Sequence, residues 1–205
     1  MLIGRRLYFE EGAAAVTIRR VTSEAGVAPM TFYWYFQDKE ALLADMLEEE
    51  VGEAARRCRE AAESAGKGPD GRPGPAVRNY FGTFLDFWLA RPAGFRLVFM
   101  GEAPAPRRGG RGTRSPAPDS QRHFPDFEAV VSAHFPACCA KANKLAELRT
   151  VITFQVLGFL INAVSPNAQD EATRNHQRTL VLNEIEHCIA RWCAQECNTP
   201  DARFA

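Results

Sequence analysis

Seven side chains near the N-terminus could do chemistry: Thr17, Met30, Thr31, Tyr33, Trp34, Tyr35 and Lys39. Their hydroxyl, phenol, indole N–H and ammonium groups can donate hydrogen bonds to phosphate oxygens and base edges. The apolar parts of the Met, Thr and aromatic side chains can touch thymine methyls. No catalytic constellation accompanies them. The sequence contains no GxSxG elbow, no HExxH pair, no phosphate loop and no dinucleotide fingerprint, so neither an enzyme nor a cofactor is expected. His123, His134, His176 and His187 are scattered.

The elements that must position these groups lie in the stretch TIRRVTSEAGVAPMTFYWYFQDK, residues 17–39. Thr17 is suited to cap a helix, because its hydroxyl can accept from a free backbone N–H of the first turn. Ile18, Val21 and Ala25 then form one inward face, Gly26 supplies a sharp turn, and Val27 is placed to plug the gap between two crossing helices. Pro29 fits the first position of the next helix, with Ala28 as a weak cap, and that helix runs to about Phe36. Wheel geometry turns Phe32 and Phe36 inward. Trp34 falls nearly opposite, with Met30 and Thr31 beside it and Tyr33 and Tyr35 on the shoulders. An aromatic cluster packed on a neighbouring helix would explain that surface, but Phe32 and Phe36 already supply the core face. The pattern predicts a recognition helix for a major groove. A helical adaptor without DNA binding would leave the surface from Thr31 to Tyr35 without a role.

In order and spacing, Leu7, Tyr8, Gly12, Thr17, Val21, Ala25, Gly26, Val27, Thr31, Phe32, Tyr33, Tyr35, Phe36, Lys39 and Leu42 resemble the TetR family. The resemblance covers about the first 45 residues and extends over the remainder only in architecture. It implies that residues 18–25 position residues 29–36 on operator DNA. It further implies that Thr31, Tyr33, Trp34 and Tyr35 contact DNA, that Lys39 pairs with a phosphate, and that Thr17 caps and touches the backbone. A repressor released from its operator by a small effector is the family's usual mode. Three departures stand out. Ala28 replaces the usual Ser or Thr, Met30 replaces a common Gly, and the chain begins inside the first helix without the basic arm of many relatives. Whether the natural start lies upstream is left open.

Charge gives little general attraction to DNA. The 205-residue chain has formal net charge +0, with 46% apolar and 24% charged residues, as in ordinary soluble domains. Residues 1–51 contain 5 Lys/Arg against 9 Asp/Glu, so modest non-specific affinity is expected. The apolar run from Val151 to Val164 is broken by Gln155 and Asn162 and is shorter than a spanning helix, so a cytoplasmic protein with no membrane partner is expected. The 6 cysteines form no CxxC pair. Cys193 and Cys197, one turn apart with His187 nearby, leave a metal or redox site open, although reduced thiols and no metal are the default.

Helical spacing recurs throughout, predicting an all-α fold with a DNA-binding domain at 1–45 and a larger helical domain at 46–205. Helices are expected at about 39–64, 77–90, 95–101, 127–145, 147–164 and 170–197. Residues 103–122 read as a disordered loop. Its Arg-rich part at 107–114 is either a solvated insertion or a second nucleic-acid contact. The aromatics at 77–101 serve as core or as the lining of an apolar effector pocket, the latter implied by the resemblance. The candidates are Phe84, Trp88, Phe99, Phe127 and Phe159, with Gln155 and Asn162 as polar contacts, for a neutral or lipophilic ligand. Leu182, Ile185, Ile189 and Trp192 form one stripe of the last helix. With the doubly apolar helix before it, this stripe predicts a homodimer through a four-helix bundle.

Overall fold

The computed structural model describes residues 2–65, 74–100, 124, 126–134, 142–165 and 170–197. All regular structure among them is helical: α1 (Leu2–Glu11), α2 (Ile18–Glu24), α3 (Pro29–Tyr33), α4 (Lys39–Glu63), α5 (Gly74–Leu89), α6 (Pro92–Phe99), α7 (Phe127–His134), α8 (Ala142–Ala163) and α9 (Glu171–Cys197). The expected loop at 103–122 lies outside the described residues.

The helices divide into two compact units, and the division does not fall at residue 45. The first unit takes residues 2–53 together with 90–100, and the second takes the rest. The reason is packing. Leu42, Leu43 and Met46 of α4 are buried in one apolar cluster with Leu7 and Tyr8 of α1, Val16 and Phe32. Leu97 of α6 joins the same cluster, and the Tyr8 hydroxyl donates to the Ala93 carbonyl at 3.2 Å. The part of α4 up to Glu53 and all of α6 thus belong to the first unit, while the rest of α4 belongs to the second.

The first unit also buries a carboxylate. Glu50 of α4 is 2% exposed and pairs with Arg5 of α1, whose other terminal nitrogen reaches Glu49 at 2.9 Å. Arg91 Nε lies 3.7 Å from the second Glu50 oxygen. Burial nevertheless pushes the Glu50 carboxyl up from its ordinary 4.5. Arg5 and Arg91 oppose the rise, while Glu49 and Glu53 add to it.

In the second unit, α8 packs against both α5 and α9. Although Leu145–Ala163 is long and apolar enough to cross a membrane by length and composition alone, its Leu148, Ile152, Val156 and Leu160 are buried in the protein. Arg178 of α9 forks onto Asp86 of α5 with two bonds of 2.7 Å, and Arg78 of α5 reaches Glu186 of α9 at 2.7 Å. Asp170 caps α9, accepting from the Thr173 backbone and hydroxyl, both at 2.9 Å.

This packing corrects the expected dimer stripe. Leu182, Ile185 and Ile189 are only 0–3% exposed, because α9 turns them toward its own α5 and α8. Trp192 is half-buried. The apolar side chains left outside are Val151, Phe154 and Ile161 of α8 and Leu180 of α9.

Glu50 has a measurable consequence. Folded Glu50 keeps a proton that the unfolded chain releases near 4.5, so stability falls as pH rises through the interval from 4.5 to the raised folded value. Glu50→Gln cannot titrate. The unfolding free energy of the native protein minus that of Glu50→Gln should decline with pH across that interval and then level off in urea titrations. A difference that climbs with pH would refute a desolvated Glu50.

Candidate nucleic-acid interface

The turn between α2 and α3 is built from local rules. Thr17 is extended (φ −121°, ψ 149°) and its Oγ1 accepts from the Arg20 backbone N–H at 3.2 Å, which starts α2. Gly26, at φ 67°, reverses the chain, as Gly12 at φ 86° does after α1. Pro29 opens α3, and Ala28 gives it no side-chain cap. Helical bonding continues past Tyr33, with the Tyr35 and Phe36 N–H groups both donating to the Phe32 carbonyl at 3.0 and 2.9 Å.

Two details of the expected inward face differ. Ala25 is exposed, and Val27 is 42% exposed and plugs no gap. Thr22 takes the inward place instead, its hydroxyl donating to the Ile18 carbonyl at 2.9 Å. A buried threonine satisfies its own hydroxyl in this way, so a polar residue replaced an expected apolar one.

Phe32 is buried and Phe36 half-buried on the α1–α4 cluster, with ring centroids 5.3 Å apart. Opposite them, Met30, Tyr33, Trp34 and Tyr35 are 53–75% exposed, and Thr31 is half-buried between the two sides. Four large apolar or aromatic groups within less than two helical turns form a concentration that soluble surfaces avoid unless a partner uses it. Lys39, at the first position of α4, also supports the fold, because its Nζ donates to the Ala13 carbonyl at 2.8 Å. It thereby closes the α1–α2 turn, a role no local signal announced. Ion pairs join α1 to α2. Arg20 forks onto Glu11 at 2.5 and 2.6 Å and reaches Glu24 at 3.0 Å, while Arg6 pairs with Glu24 and Glu10. The hydrogen bond from Arg20 holds the Glu11 carboxyl below its ordinary value.

The expected effector residues do not gather into one site. Phe84, Trp88 and Phe127 are buried in an aromatic core with Phe81 and Phe124, where Phe84 and Phe124 stand 4.6 Å apart. Phe159 is also buried. Asn162 is exposed, because it sits on the outer side of α8. Phe99 belongs to the first unit, stacked on Phe95 at 4.9 Å. Gln155 is half-buried, and its side-chain oxygen is buried without a hydrogen-bond donor. Two shallow surface recesses among the described residues lie elsewhere. One, of about 330 Å³, is lined by Arg5, Phe9 and residues 90–93; the other, of about 270 Å³, lies between Glu147, Leu148 and Val151 of α8 and Cys188, Arg191, Trp192 and Gln195 of α9.

A capped helix, a glycine turn and a second short helix with its outer face uncovered define a helix-turn-helix DNA-binding domain. Residues 4–46 match the family of bacterial regulatory proteins called tetR, so the chain carries a TetR-type helix-turn-helix domain, and that domain supports a DNA-binding regulator. The chain is also similar to a solved structure of a protein with unknown function from Rhodococcus sp. RHA1, with 16% identity, a TM-score of 0.67 and 90% of each chain covered. That likeness is one of fold.

Two substitutions separate contact from support. Tyr35→Ala removes an exposed ring and should weaken operator binding with the melting temperature unchanged. Lys39→Ala should weaken binding and also destabilise the fold, by about 1–2 kcal/mol, because it leaves the Ala13 carbonyl without its charged donor. Thermal melts beside gel shifts make the comparison. Equal melting temperatures for both variants would rule out the supporting role of Lys39.

Proposed function

We propose that this protein is a homodimeric TetR-type repressor that reads two operator half-sites and leaves them when a small apolar effector binds the second unit. The observation that carries the reading is the exposed outer face Met30, Tyr33, Trp34 and Tyr35, set on an inward Phe32–Phe36 anchor. Thr17 and Thr31 flank it with hydroxyls, and Lys39 retains ammonium protons beyond the one given to Ala13.

The dimer reading moves to the outer side of α8. Val151, Phe154, Gly158 and Ile161 follow one another at spacings of three, four and three residues, the seam of a helix pair. Phe154 is 75% exposed, and Gly158 leaves room for close approach. A two-fold pairing of these faces suits recognition of half-sites about 34 Å apart, or a multiple of it. The effector reading is supported by the aromatic core of α5 and α7 and by the buried Gln155 oxygen, a polar handle of the kind small-molecule sites use. Entry among those rings requires them to part. Release of DNA then requires the effector to bind the parted state more tightly than the closed one.

Phe154→Glu together with Ile161→Glu should turn a dimer into a monomer by light scattering and reduce operator affinity at least tenfold. Ile185→Glu should instead unfold the second unit, since Ile185 is wholly buried. A folded monomer for the native chain would refute the dimer reading. Screening small apolar molecules by thermal shift, followed by gel shift, tests the effector. A ligand that stabilises the protein yet leaves DNA bound would refute release.

A further inference from the structure

The helix-turn-helix carries an unusual division of charge. Of the basic side chains in residues 2–53, Arg5 is paired with Glu49 and Glu50, Arg6 with Glu10 and Glu24, and Arg20 with Glu11 and Glu24. Lys39 donates to Ala13. Arg19 remains. It is exposed in the first turn of α2 and has no partner among the described residues. Arg20 and Glu24 share the stripe of α2 that meets Glu11, while Arg19 shares the next stripe with exposed Ser23. The first helix of a helix-turn-helix crosses the DNA backbone, so its outward first turn is where a phosphate ligand belongs.

The reading helix has the opposite character. Its outward groups are a thioether, two phenols, an indole and the Thr31 hydroxyl and methyl. None is a guanidinium, ammonium, carboxamide or carboxylate, the groups that recognise guanine, adenine or cytosine by paired or charged hydrogen bonds. The base-edge feature that suits thioether, ring and methyl surfaces is the thymine C5-methyl.

Resting on the TetR-type reading above, we propose that this chain recognises its half-sites chiefly through thymine methyls. Arg19 is the principal phosphate ligand of each protomer, and the Glu11–Arg20–Glu24–Arg6 clamp suppresses attraction to DNA of other sequence. The clamp acts in two ways. It occupies two guanidiniums that would otherwise meet phosphates, and its carboxylates repel the same phosphates. Selectivity then comes from keeping general affinity low rather than from charged base contacts.

The test uses the full chain and a random-sequence 30-base-pair duplex library, followed by binding isotherms on the selected duplexes across a salt series. Thymines should recur at fixed half-site positions. Replacing them with deoxyuridine, which removes only the methyl, should weaken binding about three- to fivefold per contacted methyl. The slope of log K against log salt should be shallow, roughly −2 to −4 for a dimer, and Arg19→Ala should make it shallower by about 2. Glu10→Gln, Glu11→Gln and Glu24→Gln together remove every carboxylate paired with Arg6 and Arg20. That variant should raise affinity for unselected DNA and steepen the slope by up to about 4. The Arg19 side chain is exposed and makes no polar contact among the described residues, and its backbone carbonyl, which accepts from the Thr22 hydroxyl, is kept in Arg19→Ala, so the variant is read without concern for folding. Selected duplexes indifferent to deoxyuridine, a native slope of about −8 or steeper, or no change on opening the clamp would each overturn the proposal while operator binding stood. A library yielding no bound duplex would overturn the DNA-binding reading as well.

Discussion

The reading surface depends on burying Phe32. Its ring sits in the cluster formed by Leu7, Tyr8, Val16, Leu42, Leu43 and Met46, and Phe36 extends the same contact. A short helix has no stability of its own in water, so α3 exists because one face is held by that cluster. Once Phe32 points in, the wheel leaves Met30, Trp34 and the two tyrosines no inward place. The exposure of Met30, Tyr33, Trp34 and Tyr35 is thus a by-product of the anchor, and no separate feature is needed to display them.

The same economy governs charge. Net neutrality alone says nothing of DNA, because charge is distributed by pairing. Acids and bases close in space cancel at Glu10, Glu11 and Glu24 with Arg6 and Arg20, and at Glu49 and Glu50 with Arg5. Exposed pairs of this kind add little stability. Their effect is on what remains uncancelled, and that is what a polyanion meets.

In the second unit, apolar burial decides which faces of the long helices look inward, and Leu182, Ile185 and Ile189 of α9 serve the chain's own core. The forked Arg178–Asp86 contact and the Arg78–Glu186 contact join α9 to α5 in the same orientation. The outer side of α8 is left apolar, with Phe154 at its centre.

The all-helical class, the Thr17 cap, the Gly12 and Gly26 turns and the outward set on α3 were determined by sequence alone, because capping, glycine conformation and helical periodicity act over a few residues, whereas helix ends shifted, as where 127–145 was expected as one helix and Phe127–His134 and Ala142–Ala163 are observed. Tertiary structure decided the rest. An apolar stripe says that a face is covered, not by what, so Leu182, Ile185 and Ile189 read equally well as core or as interface until α5 and α8 were in place. The aromatics of α5 had the same ambiguity between core and pocket. Lys39 bonds a residue 26 positions away and Glu50 one 45 positions away. That the Arg19 side chain has no partner among the described residues is a property of where the described acids ended up. Hydrogen bonds and ion pairs act over a few ångströms in space, and only the folded chain sets those distances.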